Sequence, residues 1–414
     1  MLDSIKAQLP RAWLQVQLAV KNLARQRRRS ALALVTVSGG VMAFLLAGGF
    51  IHWVFQDLRE STIHSQLGHV QITRPGYLDH GLGDPYKYLL PSRLDAMPQD
   101  PRIVTTTPRL AFSGLLSKGD ETISFLGEGI DPLKEAPISR AITIVKGKAL
   151  HESPPLSVSL GEGLASNLGA TVGDRVVLMG TTSTGSVNAV ELTVTGIFAT
   201  ITKAYDDAVL RAPIDVARKL MRVEGATTWV VLLSKTEDTG GVMAVLRQGL
   251  DPKAFEVIPW SDLADFYNKT VELFSKQVGV VRLLIALIVI LSISNTLTMS
   301  VIERTNEIGT SMAIGVRRRG VLGMFMLEGV ILGIIGGVLG VVGGMSLGAL
   351  ISHIGIPMPP PPGMARGYIG EILISPALAL DGFLLAFLTT LLASVFPAWK
   401  ASRMNIVDAL RHQQ

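Results

Sequence analysis

The 414-residue chain contains no cysteine. That excludes disulfides, thiol catalysis and thiolate metal sites, so any part exposed to an oxidising compartment must be held together by its own packing. Charge is also scarce. Asp, Glu, Lys and Arg make up 17% of the residues, against about a quarter in an ordinary soluble domain. The GxxxxGK[ST] phosphate-binding loop is missing; GVRRRG at 315–320 is not one. No HExxH occurs, and His52, His64, His69 and His80 show no recognised metal-ligand spacing. The expectation is therefore a non-enzymatic chain with no catalytic residues, no metal and no cofactor of its own.

What is present is long apolar sequence. Hydrophobic residues reach 48% and mean hydropathy is +0.41. The excess gathers near residues 31–55, 280–301, 321–352 and 376–399. A formal charge of +5 and a pI of 9.4 can mark nucleic-acid binding. Here, however, the arginines cluster at the ends of the apolar runs, which is the pattern of membrane topology, and no nucleic-acid partner is expected.

Residues 31–55 carry no formal charge and exceed the roughly 20 apolar residues a spanning helix needs. RQRRRS precedes them, so that side is cytoplasmic by the positive-inside rule. The run is too long for an ordinary signal-peptide core and reads as an uncleaved anchor. Ahead of it, Trp13, Leu14, Val16, Leu18, Val20 and Leu23 form an irregular apolar face among basic residues, as in a helix lying on the membrane surface. The second run ends at Glu303–Arg304, with Asn295, Thr296 and Thr298 in its inner half. The third follows Arg317–Arg318–Arg319 and repeats glycine at 329, 333, 337 and at 336, 340, 344, 348, a spacing that admits a close helical neighbour. Glu328 lies about two turns into this run and is read as pairing with an arginine at the inner edge, or as a functional acid. The fourth is followed by Lys400 and Arg403, and Pro397 is expected to bend or stop it.

Residues 56–278 differ in composition. VQIT, DRVVLMG and AVELTVTGIFAT read as strands, and SLGEGLASNLG, DVARKLMRV and TGGVMAVLRQGL as helices. The length admits two subdomains, and residues 260–280 read as a helix continuing into the second span. The fold class is an α-helical integral membrane protein with four transmembrane helices and a large mixed α+β extracytoplasmic domain inserted between helices 1 and 2. The division is an amphipathic leader at 1–29, spans at 30–55, 279–302, 321–352 and 376–399, the extracytoplasmic domain at 56–278, a cytoplasmic connection at 303–320, a Pro-rich outer loop at 353–375 and a cytoplasmic tail at 400–414.

Four segments share one resemblance. They are NTLTMSVIERTNEIGTSMAIGVRRRGVLGMFMLEGVILGIIGG (295–337), FPAWKASRMNIVDALR (396–411), GHVQITRPGYLD (68–79), and LGEGLASNLGATVGDRVVL taken with TVTGIFAT. In this order they resemble the permease subunits of MacB/FtsX/LolC-type ABC transporters, on the lipoprotein-releasing-like branch, with no fused ATPase domain. The resemblance implies a bacterial inner-membrane protein with both termini cytoplasmic. It implies a dimer with an identical or homologous permease, and two copies of a separate ATPase that binds the ATP and Mg. It places Glu303, Arg304, Glu307, Ile308, Gly309, Met312, Ala313, Gly315 and Arg317 in the segment that couples to that ATPase. The ending Ala409–Leu410–Arg411 matches the family's.

Three transport-linked readings follow. One is extraction or export of a lipoprotein or other lipidic substrate, delivered to a lipoprotein carrier. Phe50, Trp53, Val54 and Phe55 would then line an outer vestibule; the alternative is a lipid-facing aromatic belt. A second is drug or peptide efflux with a periplasmic adaptor. A third is regulation of a cell-wall hydrolase, against which the size of the outer domain counts. A plain membrane anchor would have no need of the 303–320 segment.

Overall fold

The computed structural model describes residues 17, 19–81, 84–359 and 367–405. The apolar positions Trp13, Leu14, Val16 and Leu18, most of the proline run and the Ala409–Leu410–Arg411 ending lie outside them. The chain divides into two compact units. One comprises Met1–Val54, Glu272–Pro357 and Ile369–Gln414; the other comprises Phe55–Val271 and Met358–Tyr368.

The first unit is built on four helices long and apolar enough to cross a membrane. They are α1 (Arg27–Thr62), α5 (Asp265–Glu303), α7 (Arg318–Ile354) and α8 (Pro376–Ser402); α2 (Glu162–Leu168), α3 (Ile214–Met221) and α4 (Thr239–Gly249) belong to the other unit, and α6 (Thr305–Ala313) is the short helix between α5 and α7. The glycine repeats of α7 serve two different neighbours. Gly329, Gly333 and Gly337 face Ser394, Thr390 and Phe383 of α8, while Gly336, Gly340 and Gly344 face Val37, Val41 and Leu45 of α1. Side chains there would hold the helices apart, and dispersion between close backbones is what binds helices in lipid. Val289, Ile293 and Leu297 of α5 complete this core with Phe44 and Leu385. Thr296 and Thr298 donate to the carbonyls of Ser292 and Ser294 at 2.8 and 2.7 Å, so their hydroxyls are satisfied within their own helix. Pro397 does not stop α8, which runs on to Ser402. Its last turn is held by Ala398 and Ala401, buried against Phe325 and Val321.

The second unit contains a ten-stranded mixed sheet. Its strands are β1 (Val70–Thr73), β2 (Ile103–Lys118), β3 (Glu121–Ile130), β4 (Thr143–Gly147), β5 (Ser157–Gly161), β6 (Arg175–Thr181), β7 (Val187–Ala199), β8 (Val209–Pro213), β9 (Thr228–Leu233) and β10 (Glu256–Pro259). β2 pairs with β3, β3 with β8, β8 with β5, β5 with β7, β7 with β6, and β6 again with β2, so these six strands close on themselves. Alternate residues fill the interior: Leu110 and Phe112 of β2, Val176 and Leu178 of β6, Leu192 and Val194 of β7. Helices α2 (Glu162–Leu168) and α3 (Ile214–Met221) cover this core. At Gly114 a side chain would collide with the Met179 carbonyl, so glycine permits the β2–β6 closure.

A second core lies where β9 pairs with both β2 and β1, and β1 with β10. It packs Ile72, Trp229 and Val231 under Val242 and Leu246 of α4 (Thr239–Gly249). The two expected subdomains are thus two cores on one continuous sheet, with β2 common to both. The helix expected across 260–280 is interrupted: a turn at Trp260–Leu263 ends at Ala264 (φ −87°, ψ 58°), and α5 begins at Asp265.

Candidate functional site: the segment joining α5 and α7

α5 ends where Arg304 leaves helical geometry (φ −105°, ψ 15°), and α6 (Thr305–Ala313) starts at once. Ile308, Gly309 and Met312 sit on one face, one turn apart, and are buried. Ile308 and Met312 pack on Val321 and Phe325 of α7 and on Ala398 and Ala401 of α8. The helix closes through Gly315, whose φ of +105° suits glycine alone. Its N–H donates to Met312 O at 3.1 Å and that of Val316 to Ser311 O at 3.0 Å. α7 then begins at Arg318. The opposite side of the hairpin is open: Ala313, Gly315 and Arg317 are exposed, and Ile314 is 82% exposed with Val316 at 46%.

The acidic and basic residues of this segment meet the chain before α1, where residues 19–25 are helical, and the first turn of α1 itself. Arg29 pairs with Glu303, and Gln26 donates to it at 3.4 Å. Arg25 reaches Glu307 at 3.0 Å. Arg304 bridges outward to Glu307 at 3.2 Å and inward to Glu328 at 3.0 Å, with its guanidinium over the Phe325 ring at 5.8 Å. Asn22 donates a second bond to Glu328 at 3.1 Å. The exposed Arg25–Glu307 pair contributes at most about 1 kcal/mol. The Glu328 side chain is only 3% exposed, so its charge is tolerated only because Arg304 and Asn22 answer it. Glu328 therefore has the inner-edge arginine partner its position called for.

Of the nine sequence-selected residues, three are internal, three belong to the ionic network and three are exposed. Sequence reasoning passed over Asn22, Ile314 and Val316. The one available signal was a branched apolar residue on either side of Gly315, just ahead of Arg317–Arg318–Arg319. Phe50, Trp53 and Val54 share a face of α1 by their spacing and, like Phe55, are half-buried. The Phe50 ring closes over Gly370, where an added methyl would lie 2.6 Å away. The run Gly344–Met345–Ser346–Leu347–Gly348 has the letters of a hydrolase elbow. It lies inside α7, with the Ser346 hydroxyl bonded to Val342 O at 2.9 Å, and not at a strand-to-helix turn.

A second polar cluster, in the mixed-sheet unit, was not foreseen. Arg109 pairs with Glu135 and donates to Gln66 O. Arg211 donates to Glu128 at 2.9 Å, Ser139 Oγ at 3.0 Å, Ser65 O at 2.8 Å and Tyr205 Oη at 3.1 Å. Burial disfavours the Glu128 carboxylate, but Arg211 and Arg109 outweigh it and lower its pKa. Lone charges among apolar strand neighbours, Arg109, Glu128 and Arg211, were the trace of this network in the sequence.

Four membrane-length apolar helices, with a mixed-sheet unit following the first of them in the chain, define a multi-pass membrane protein. A family model described as the MacB-like periplasmic core domain matches residues 30–249, and one described as the FtsX-like permease C-terminal matches residues 279–406. An uncharacterized ABC transporter permease, MJ1507 of Methanocaldococcus jannaschii, is 24% identical over 412 residues, covering 96% of this chain and 97% of that protein. The lipoprotein-releasing system transmembrane protein LolC of Xylella fastidiosa is 25% identical over 334 residues, 76% of this chain and 79% of its own. The macrolide export ATP-binding/permease protein MacB of Syntrophobacter fumaroxidans is 31% identical over 173 residues, 41% of this chain and 22% of its own. The chain belongs to the MacB/FtsX/LolC-type family of ABC transporter permeases.

Proposed function

We propose that the chain is the permease subunit of an ABC transporter whose ATP is hydrolysed on a separate partner chain, two copies per complex. The α6 hairpin seats on that partner, and closure of the ATPases moves the mixed-sheet unit, which lies outside the cytoplasm. Basic residues Arg27–Arg29, Arg317–Arg319, Lys400 and Arg403 support a topology with both termini and the α6 hairpin inside. The observation that carries the reading is Ile314. An isoleucine held 82% exposed at the tip of a hairpin whose other face is anchored in its own unit contributes about 1.5–3 kcal/mol when a partner covers it.

The substrate is a lipoprotein or other lipidic molecule, drawn from the outer leaflet past Phe50, Trp53, Val54 and Phe55. The similarity to LolC over three quarters of both chains supports this. Efflux of a drug or peptide through a periplasmic adaptor is the second reading, favoured by the 31% identity to MacB. The permease acts as a dimer with itself or a homologous chain.

The test is mild detergent extraction of the complex from its own membranes, with quantitative mass spectrometry of wild type and Ile314→Asp. The expected result is a stoichiometric ATPase with wild type, lost at least about tenfold in the variant. A co-purifying lipoprotein supports extraction, and an adaptor supports efflux. An ATPase absent from wild type, or retained equally by Ile314→Asp, refutes the coupling role.

A further inference from the structure

The mixed-sheet unit contains a cavity of about 230 Å³ that the transport reading leaves unused. Its inner wall carries Phe198, Ser139 and Arg211, and Ile144, Arg140 and His151 stand toward its mouth. The volume is below the roughly 300–1,000 Å³ of sites for drug-sized ligands, and suits a body the size of one amino-acid residue.

The charges around it are unevenly answered. Arg211 is buried and spends its donors on Glu128, Ser65, Tyr205 and Ser139. Glu135, the carboxylate on the wall, is held by Arg109. Both buried arginines are therefore answered, Arg109 by Glu135 and Arg211 by the partly exposed Glu128. Arg140 is left over: it touches His64 Nε2, and no carboxylate pairs with it among the described residues. Ser139 Oγ accepts from Arg211 at 3.0 Å, so its own proton remains available to a ligand. The cavity thus offers one unanswered guanidinium and one polarised hydroxyl on adjacent residues, beside an apolar wall.

We infer that this cavity binds a carboxylate carried on a compact apolar body of single-residue size. The carboxylate accepts from Arg140 and from the Ser139 hydroxyl, and the apolar body lies against Phe198, Ile142 and Ile144. A monoanion fits because a second charge would be left unpaired against apolar surface. Two sources have this chemistry: a free small organic acid, or the last residue of a polypeptide with its terminal carboxylate.

Binding is measured by calorimetry on the full-length chain in detergent, with N-acetyl-phenylalanine against N-acetyl-phenylalaninamide. A hexapeptide ending in phenylalanine, as free acid and as amide, is titrated in parallel. The acid is expected to bind about tenfold or more tighter than its amide. Arg140→Gln, an exposed position, removes that preference, and Ile144→Trp at the rim weakens acid and amide alike. If the peptide acid binds as well as the small acid, the source is a chain terminus; if the peptide is excluded, it is a small molecule. Equal binding of acid and amide, no saturation by about 10 mM, or an acid preference that survives Arg140→Gln overturns the assignment. None of these readings depends on an ATPase being present.

Discussion

His69 makes the stability of the mixed-sheet unit sensitive to acid. Its ring is buried, 1% exposed. Nδ1 accepts the Leu233 N–H at 3.1 Å, so the ring proton sits on Nε2 and donates to Thr236 Oγ1 at 3.0 Å; Thr236 passes its own proton to Glu60 at 2.9 Å. Burial lowers the His69 pKa to about 4; His64, Arg140 and Arg59 act in the same sense and Glu60 against it. In the unfolded chain the ring titrates near 6.5. Between those values the unfolded state binds a proton that the folded state refuses, so stability falls as pH falls through the window and levels off below about 4. By pH 5 the loss from this group is about 2 kcal/mol, or about 4–8 °C in the midpoint of a domain this size. The assay is thermal unfolding of the full chain in detergent from pH 7.5 to 5, for wild type and for His69→Asn. Asparagine can still accept from Leu233 but cannot titrate. His64, whose pKa burial and Arg140 also lower, remains in both proteins, so the difference in slope isolates His69. Parallel curves, or a wild type that gains stability on acidification, would refute the reasoning.

Gly114→Ala puts a methyl into the Met179 carbonyl and is expected to cost at least about 2 kcal/mol; denaturant unfolding reads it, with Gly119→Ala, which meets nothing within 4 Å but has a positive φ of its own, setting the scale for backbone strain alone. Glu328→Gln leaves Arg304 with only the half-exposed Glu307. It should destabilise the helical unit by about 3 kcal/mol in detergent melting, whereas Glu307→Gln, at a half-exposed position that leaves Arg304 its bond to Glu328, should cost less than about 1 kcal/mol.

The spans were readable because lipid imposes a length and excludes charge, and arginine marks the ends. β6 and β7 were readable because a half-buried strand must alternate, and α2 because Gly169 ends it with φ +64°. The glycine repeats of α7 announced a close neighbour but not that there are two. Which neighbour each row faces depends on helix rotation, which is fixed only by α1 and α8 together. Ala264 has high helix propensity, so nothing local warned of the break there; it is 3% exposed beside Trp260, and packing overrides propensity. In the α6 hairpin, the charged residues drew attention, yet most are consumed by Arg25, Arg29 and Glu328. The apolar surface left open rests on Ile314 and Val316, whose exposure only the fold reveals.

The 16-residue strand β2 has a mechanical meaning. Its first half is laced to β9 and its second to β6, while β3 runs along it from Arg109 onward. The β9 ladder ends at Arg109, where the β3 ladder begins, so the two cores share the backbone of β2 rather than a common set of rungs. A load applied to one core would therefore reach the other along the covalent backbone of that strand, as along the single beam between two spans.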